Sequence, residues 1–175
     1  MFDFQPRLRG QLLDLRPVEV ADWEGLFAVG SDPDVWAGHP ERDRYLEPKF
    51  RAYFEEGLAS GAALVAVDRK DGRITGWSRY STRFAGPDEI EIGWTFLGQA
   101  YWGGTYNAEM KRLMLDHAFR FVGRVIFRIN AANGRSRRAA EKIGATLTGA
   151  TQVAILGGVP TETVFYAIER GQPSI

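Results

Sequence analysis

The residues best suited to bind a ligand form a short turn, Gly103-Gly104, between a predicted strand and a predicted helix. Two glycines let the backbone fold tightly and approach a ligand closely, because neither carries a Cβ. A helix that begins directly behind them offers unpaired N–H groups and the positive end of its dipole, which favour phosphate. The turn is not a P-loop, since no Gly-Lys-Ser/Thr follows, and G-x-G-x-x-G is absent. Alternatively, the glycines serve only to turn the chain.

Hydrophobic periodicity defines the elements on either side of this turn. Ile90, Ile92, Trp94 and Phe96 recur at every second position, which predicts a strand with these residues on one face. Behind the turn the period lengthens to that of an amphipathic helix. The apolar stripe of this helix consists of Met110, Leu113, Met114, His117, Ala118 and Phe121. We interpret His117 as a packing residue because it lies on that stripe.

The rest of the chain continues with strands and helices and shows no linker or repeat. Further strands are predicted at 7–16, 62–68, 73–83, 124–130, 145–156 and 159–169. Further helices are predicted at 18–29, from Pro48 to Gly61 and at 133–144, whereas 31–40 is predicted to be irregular. Asp71-Gly72 and Gly157-Gly158 are turn signals. These elements predict one α/β or α+β domain over residues 1–175.

Composition excludes several functional classes. A formal net charge of +0 gives no electrostatic support to a nucleic-acid or membrane partner. The sequence has no cysteine, which excludes a disulfide framework, a thiolate metal site and a catalytic cysteine. With only two histidines, His39 and His117, we expect no metal. The first residues lack a signal pattern and no apolar run approaches about 20 residues, so a cytoplasmic protein is expected.

Two segments resemble the GNAT N-acetyltransferase family, and the order of elements matches that family over nearly the whole chain. The first segment is similar to the acetyl-CoA-binding strand, loop and helix of the branch that contains ribosomal-protein N-terminal acetyltransferases. It reads E-I-G-W-T-F-L, followed by A-Y-W-G-G-T-Y-N-A-E-M-K. N-G-R-S-R-R-A-A-E-K-I-G-A resembles that branch's Asn-x-x-Ser-x-x-x-x-x-Lys-x-Gly segment. The resemblance implies a mixed, mostly antiparallel sheet of about seven strands with four helices, and acetyl-CoA as cosubstrate.

The resemblance also implies which residues hold acetyl-CoA. The pantetheine arm would run beside the central strand, and backbone amides of the turn would cradle the pyrophosphate. The implied contacts are Phe96, Leu97, Trp102, Gly103, Gly104, Thr105, Tyr106, Asn107, Asn133 and Ser136. Arg135, Arg137 and Arg138 either meet the CoA phosphates or form a solvated basic face.

The sequence departs from the family pattern at two places. The family's Gln/Arg-x-x-Gly-x-Gly/Ala maps onto Trp102, Thr105 and Asn107, none of which matches it. Many members place a tyrosine in the short helix to protonate the leaving thiolate, whereas the matching residue here is Ala140. Tyr166 on the last strand is a candidate for that role, although a sheet aromatic also explains it.

Glu91 is the predicted general base, on the strand face opposite Ile92, Trp94 and Phe96, where family members often carry a carboxylate. The alternative is that Glu89 and Glu91 are solvent-facing charges. Ser136 is predicted to reach the thioester sulfur or the pantetheine, unless its hydroxyl only bonds the local backbone. Asn133 is predicted to cap the short helix and to contact the pantetheine.

These features predict transfer of an acetyl group from acetyl-CoA to a primary amine by direct attack in a ternary complex. The acceptor would be a protein N-terminus or a small-molecule amine. Two alternatives remain open, a non-catalytic acyl-CoA-binding sensor and an interaction module on the same fold. The final strands are rich in Val, Ile, Phe and Tyr, and edge strands of that kind need cover, so a homodimer is also expected.

Overall fold

The computed structural model describes residues 1–156 and 159–172, so the predicted turn at Gly157-Gly158 lies outside the described residues. The described chain forms one eight-stranded sheet in the order β1-β2-β3-β4-β5-β6-β8-β7. The strands are β1 (Leu8–Arg9), β2 (Leu13–Pro17), β3 (Ala63–Asp68), β4 (Ile74–Ser81), β5 (Glu89–Leu97), β6 (Arg124–Asn130), β7 (Thr146–Leu156) and β8 (Val159–Glu169). The helices are α1 (Trp23–Gly30), α2 (Pro33–Trp36), α3 (Glu47–Ala59), α4 (Thr105–Ala118) and α5 (Gly134–Lys142).

The predicted mixed, mostly antiparallel architecture is confirmed, with eight strands and five helices over these residues instead of about seven and four. The extra strand arises because the predicted strand 7–16 is two strands, which reverse direction after Gly10. The carboxylate of Glu109 stabilises this reversal by accepting the N–H groups of Gln11, Leu12 and Leu13 at 2.7–3.0 Å. No helix of the described residues is long and apolar enough to cross a membrane.

The extra helix is α2, in the segment predicted to be irregular. Pro33 occupies its first turn, where the missing N–H costs nothing. Asp32 caps it by accepting the N–H of Asp34 at 3.0 Å.

Two separate cores lie on the two faces of the sheet. On one face, Ile90, Ile92 and Leu97 of β5 pack with Met110 and Met114 of α4. We call this the α4 face. On the other, which we call the α3 face, Phe96 packs with aromatic side chains from α2, α3 and β4. These are Trp36, Phe50, Tyr53 and Trp77.

A bulge in β5 overturns one prediction from the sequence. The register between β4 and β5 shifts between Trp77 and Arg79, and Trp94 adopts a φ of 52°. The extra residue reverses the alternation, so Trp94 and Phe96 lie on the α3 face, opposite Ile92. The prediction that all three share one face was therefore wrong. Glu91, which alternates with Ile92, shares the α3 face with Trp94.

The only parallel pair among the described strands, β5 and β6, separates along its length. The two strands pair at Glu89–Glu91 with Arg124–Ile126 and not beyond. Farther on, β5 remains paired with β4 as far as Leu97, and β6 remains paired with β8 as far as Asn130. The sheet therefore divides after Glu91. We call the gap between residues 92–97 of β5 and 127–130 of β6 the β5–β6 opening.

Candidate active site

Glu91 stands where the β5–β6 opening begins, as the last residue of β5 that pairs with β6. Its side chain is only 2% exposed, so Glu91 is not a solvent-facing charge. Within the described residues, its Oε2 is buried without a hydrogen-bond partner. Burial raises the pKa of Glu91 to about 7, against the opposing charges of Arg128, Arg79 and Arg83. A carboxyl group balanced near neutral pH is well suited to accept a proton.

Glu89, two residues earlier on the same strand, accepts a hydrogen bond at each of its carboxylate oxygens. Its carboxylate accepts the guanidinium of Arg124 at 2.8 Å and the N–H of Gly86 at 2.7 Å. The two carboxylates therefore have different environments. Only Glu91 is buried beside the opening with an oxygen left unbonded.

Arginines and aromatic rings surround Glu91 on the α3 face. The Arg79 guanidinium lies 3.8 Å from the Trp94 ring centroid and pairs with Glu56 of α3 at 3.0 Å. Arg128 of β6 lies 3.4 Å from the ring centroid of Phe84 and donates to the uncharged amide of Gln152. This side of the opening therefore carries an excess of positive charge.

Tyr53 of α3 holds the bulge in place, a role that helical periodicity did not reveal. Its hydroxyl donates to the Trp94 carbonyl oxygen at 2.6 Å and accepts from the Trp77 indole at 3.0 Å. Burial raises the pKa of Tyr53 to about 12, so it stays protonated near neutral pH. Trp94, the strained residue three positions after Glu91 on β5, is thus held by a part-buried hydrogen bond.

The Gly103-Gly104 turn lies at the far end of β5, at the start of α4. Gly103 has a φ of +66°, a conformation that favours glycine, whereas Gly104 has a φ of −121° that any residue adopts. A Cβ added at Gly104 would meet only the Trp102 carbonyl oxygen, at 3.8 Å. Among the described residues no side chain caps the helix, so the first amides of α4, from Thr105 to Asn107, face an open turn.

Trp102 connects the end of β5 to α5 through its indole ring. Its indole N–H donates to the Leu97 carbonyl oxygen at 2.7 Å. The guanidinium of Arg135, from α5, lies 3.9 Å from the Trp102 ring centroid and donates to the Val35 carbonyl. One main-chain group in the stretch predicted to contact pantetheine, the Leu97 carbonyl, is thus already engaged. The side chains of Phe96 and Leu97 are buried in the two cores.

A family model described as an acetyltransferase (GNAT) domain matches residues 13–146, most of the chain. The protein belongs to the GNAT acetyltransferase family. The family predicted from the sequence is therefore confirmed. None of the curated proteins compared matched the sequence.

Solved structures support the same fold. A GCN5-related N-acetyltransferase from Brucella melitensis superposes with a TM-score of 0.84 at 20% identity, over 94% of this chain and 79% of that one. An acetyltransferase from Agrobacterium tumefaciens gives 0.71 at 25% identity, over 97% and 98%. Mycobacterium smegmatis RimJ, solved in complex with CoA-disulfide, gives 0.68 at 18% identity, over 97% and 89%.

The start of α5 carries two of the predicted cosubstrate contacts, Asn133 and Ser136. Asn133 caps the helix, because its Oδ1 accepts the N–H of Ser136 at 3.1 Å. The Ser136 side chain is half-buried in the first turn, and Ala140 is buried one turn later. Contact of Asn133 or Ser136 with a cosubstrate remains a prediction.

Tyr166, a candidate acid, is held within a side-chain bridge. Its hydroxyl donates to Glu141 at 2.8 Å and accepts from Arg137 at 3.0 Å. The ring is buried in the α4-face core. The Tyr166 hydroxyl is thus bonded on both sides, and its role as an acid remains a prediction. Arg137 is likewise committed to this bridge, whereas Arg138 is exposed.

Lys111 of α4 is a buried cation that the sequence reasoning missed. It is 7% exposed, and its Nζ donates to Thr95 Oγ1 at 2.5 Å and to Ser78 Oγ at 3.1 Å. Burial lowers the pKa of Lys111 to about 7. A signal was present, because Lys111 lies three and seven residues before Met114 and Ala118, on the apolar stripe itself.

Proposed function

We propose that this protein transfers an acetyl group from acetyl-CoA to a primary amine, by direct attack of the amine on the thioester. Membership in the GNAT family supports acyl transfer. The observation that carries the proposal is the placement of Glu91, a buried carboxyl group with an unbonded oxygen at the start of the β5–β6 opening. That position combines a proton acceptor with a gap in the sheet where a thioester could lie.

The start of α4 is the proposed pyrophosphate site. Open amides, the positive helix end and the tight Gly103 turn suit an anion. From there the pantetheine arm would follow the β5–β6 opening toward Glu91. Leu97 lies six positions after Glu91, roughly 20 Å of extended strand, so the two sites need a long, thin linker between them. The pantetheine arm has that form.

Glu91 would act as the general base. Alkyl amines titrate near ~10 and α-amines near ~8, so the acceptor arrives largely as an ammonium. Because only the neutral amine has a lone pair, the ammonium first gives up one proton to solvent. As the amine nitrogen then bonds the thioester carbonyl carbon, a second nitrogen proton passes to the Glu91 carboxylate, directly or through a water. The Trp94 bulge, held by Tyr53, sets the α3-face approach to that carbon.

The charge around Glu91 favours an acceptor that carries its own carboxylate. Arg79, Arg83 and Arg128 all lower the pKa of Glu91, so their charges act on the site. Amines with a nearby carboxylate, such as amino acids or acidic peptide N-termini, would pair with these groups. A polycationic amine would be repelled.

The test is release of CoA thiol from acetyl-CoA with a panel of amines and peptides. Amino-acid and acidic peptide amines should be acetylated faster than polyamines at matched concentration. Binding of CoA without thiol release for any amine would indicate a sensor instead. No rise in melting temperature with CoA would indicate an interaction module.

A further inference from the structure

The ammonium of Lys111 lies on the α4 face of the sheet, bonded to β4 and β5 beside the β5–β6 opening. Its Nζ is 2.5 Å from the Thr95 hydroxyl of β5 and 5.9 Å from the Phe127 ring centroid of β6. Phe127 is the first β6 residue beyond the last pair with β5, Glu91 with Ile126. The side chain therefore reaches from α4 to β5, close to the ring with which β6 borders the opening.

A lysine at this position is costly to the fold. Removing an ammonium from water is unfavourable unless strong partners replace the solvent, and the two partners here are hydroxyls, not carboxylates. Its neighbour Met110 and the next turn's Met114 fill the same core with apolar atoms. Packing alone would be served better by a third apolar side chain. The cost points to a use for the charge.

Thr95 lies between the buried Lys111 ammonium and solvent. Its side chain is exposed, whereas Lys111 and Ser78 behind it are buried. A hydroxyl has one proton to donate and can accept twice. Thr95 Oγ1 accepts from Nζ, and its own proton has the Gly93 carbonyl oxygen as an acceptor at 3.4 Å. From that long hydrogen bond the proton can turn toward a group that enters the opening.

We propose that Lys111, acting through the Thr95 hydroxyl, stabilises and protonates the sulfur of CoA as it leaves. This inference rests on the proposed acetyl transfer. It supplies an acid where Ala140 provides none and where Tyr166 is bonded to Glu141 and Arg137. Thr95 would contact the sulfur, and Lys111 would be the positioning and charging residue behind it.

The step is balanced in protons and electrons. When the tetrahedral intermediate collapses, the C–S bond breaks and its electron pair moves to sulfur. The Thr95 hydroxyl gives its proton to the thiolate and takes one from the Lys111 ammonium, which becomes a neutral amine. Glu91 holds the proton lost by the acceptor, and exchange with solvent returns both groups to their starting states.

The decisive measurement is the titration of the thiol of bound CoA, followed by ultraviolet absorbance of the thiolate under saturating protein. CoA lacking the sulfur serves as the blank. In the wild-type protein the bound thiol should titrate at least about one pH unit below free CoA, a tenfold gain in thiolate. Lys111→Met should abolish this shift, and Thr95→Val, at an exposed position, should reduce it. Lys49→Met, an exposed lysine on α3, should leave it unchanged.

The outcomes separate this inference from the proposed function. If CoA binds but its thiol titrates as in free solution, the role of Lys111 is refuted while acetyl transfer stands. If CoA does not bind at all, both the role of Lys111 and the proposed acetyl transfer are refuted. The titration of CoA bound to the wild-type protein can still refute the role of Lys111 if Lys111→Met fails to fold. In turnover assays, Lys111→Met should lower kcat about 10²-fold or more with KM for acetyl-CoA unchanged. A rise in KM alone would show a merely structural lysine.

Discussion

Replacing Glu91 by glutamine should make the protein less active and more stable at the same time. The change keeps the size of the side chain and removes its ability to ionise. General-base assistance is worth roughly 10²–10⁴-fold, so kcat at neutral pH should fall by about that factor, while CoA binding should survive. The loss should shrink at higher pH, where free amine is plentiful.

The stability change follows from the raised pKa. Burial raises the pKa of Glu91 from 4.5 to about 7, so between these values the folded state holds a proton that the unfolded state has released. Stability contributed by the protonated carboxyl is thus lost as the pH rises from 4.5 to 7. At about 1.4 kcal/mol per unit, ionising the buried group costs about 3 kcal/mol above pH 7. Glu91→Gln should recover up to that amount at pH 8 and nothing near pH 4.5.

Two assays check this prediction, thiol release for kcat and denaturant unfolding at pH 5 and pH 8. Glu89→Gln is the matched control on the same strand, because that carboxylate is bonded to Arg124 and Gly86. It should leave kcat unchanged and should not stabilise the protein at pH 8. Near-normal kcat in Glu91→Gln would remove Glu91 from the mechanism. A variant less stable than wild type at pH 8 would show that the arginines hold a stable carboxylate, and the burial argument would be wrong.

Three further predictions concern the turn, the bulge and the sheet edge. Gly104→Val should weaken CoA affinity about tenfold by obstructing the start of α4, measured by calorimetry, whereas Gly103→Val should also cost about 1–2 kcal/mol of stability because of its φ of +66°. Unchanged affinity in folded Gly104→Val would argue against this placement of the pyrophosphate. Tyr53→Phe leaves the Trp94 carbonyl and Trp77 indole without their partner, so thermal unfolding should show a loss of about 1–3 kcal/mol and kcat should fall. Unaltered values for both would contradict the proposed role of the bulge. Exposed apolar residues on β7 and β8, including Val153 at 66% exposure, predict a dimer by light scattering at micromolar concentration, and a strictly monomeric mass would contradict it.

Local patterns were sufficient to predict most of the elements of this fold. Strand β6 has its predicted limits, 124–130, because alternation and flanking residues act over a few positions. Asn133 caps α5 as its type and place before the helix suggested. The predicted helix 18–29 begins later, at Trp23, because a 3₁₀ turn over Val20–Asp22 comes first.

The site was harder to predict because it depends on contacts between distant segments. Gly93 was the only local hint of the bulge, and one extra residue reverses the faces of everything after it. Burial by distant segments raises the pKa of Glu91, and the charges of Arg128 and Arg79, from other strands, oppose that rise. Lys111 could be identified as a misplaced charge on an apolar stripe. Its partners Ser78 and Thr95, 33 and 16 residues away, could not be read from the sequence.

The last prediction combines the two buried groups. Glu91 lies on the α3 face and the Lys111–Thr95 pair on the α4 face, because the bulge at Trp94 separates them on one strand. A base and an acid on opposite sides of the opening can act on the entering amine and the leaving sulfur without exchanging a proton with each other. Burial raises the pKa of the carboxyl and lowers that of the ammonium, each to about 7.

Activity requires Glu91 ionised and Lys111 protonated, so kcat/KM for acetyl-CoA at saturating amine should be bell-shaped with its maximum near pH 7. Below that pH the base is neutralised, and above it the acid is lost. Glu91→Gln should flatten the acidic limb of its residual activity, and Lys111→Met should flatten the basic limb. Lys49→Met should keep both limbs. If the basic limb persisted in Lys111→Met, the group lost at high pH would be another one, and the division of acid and base between the two faces would be refuted.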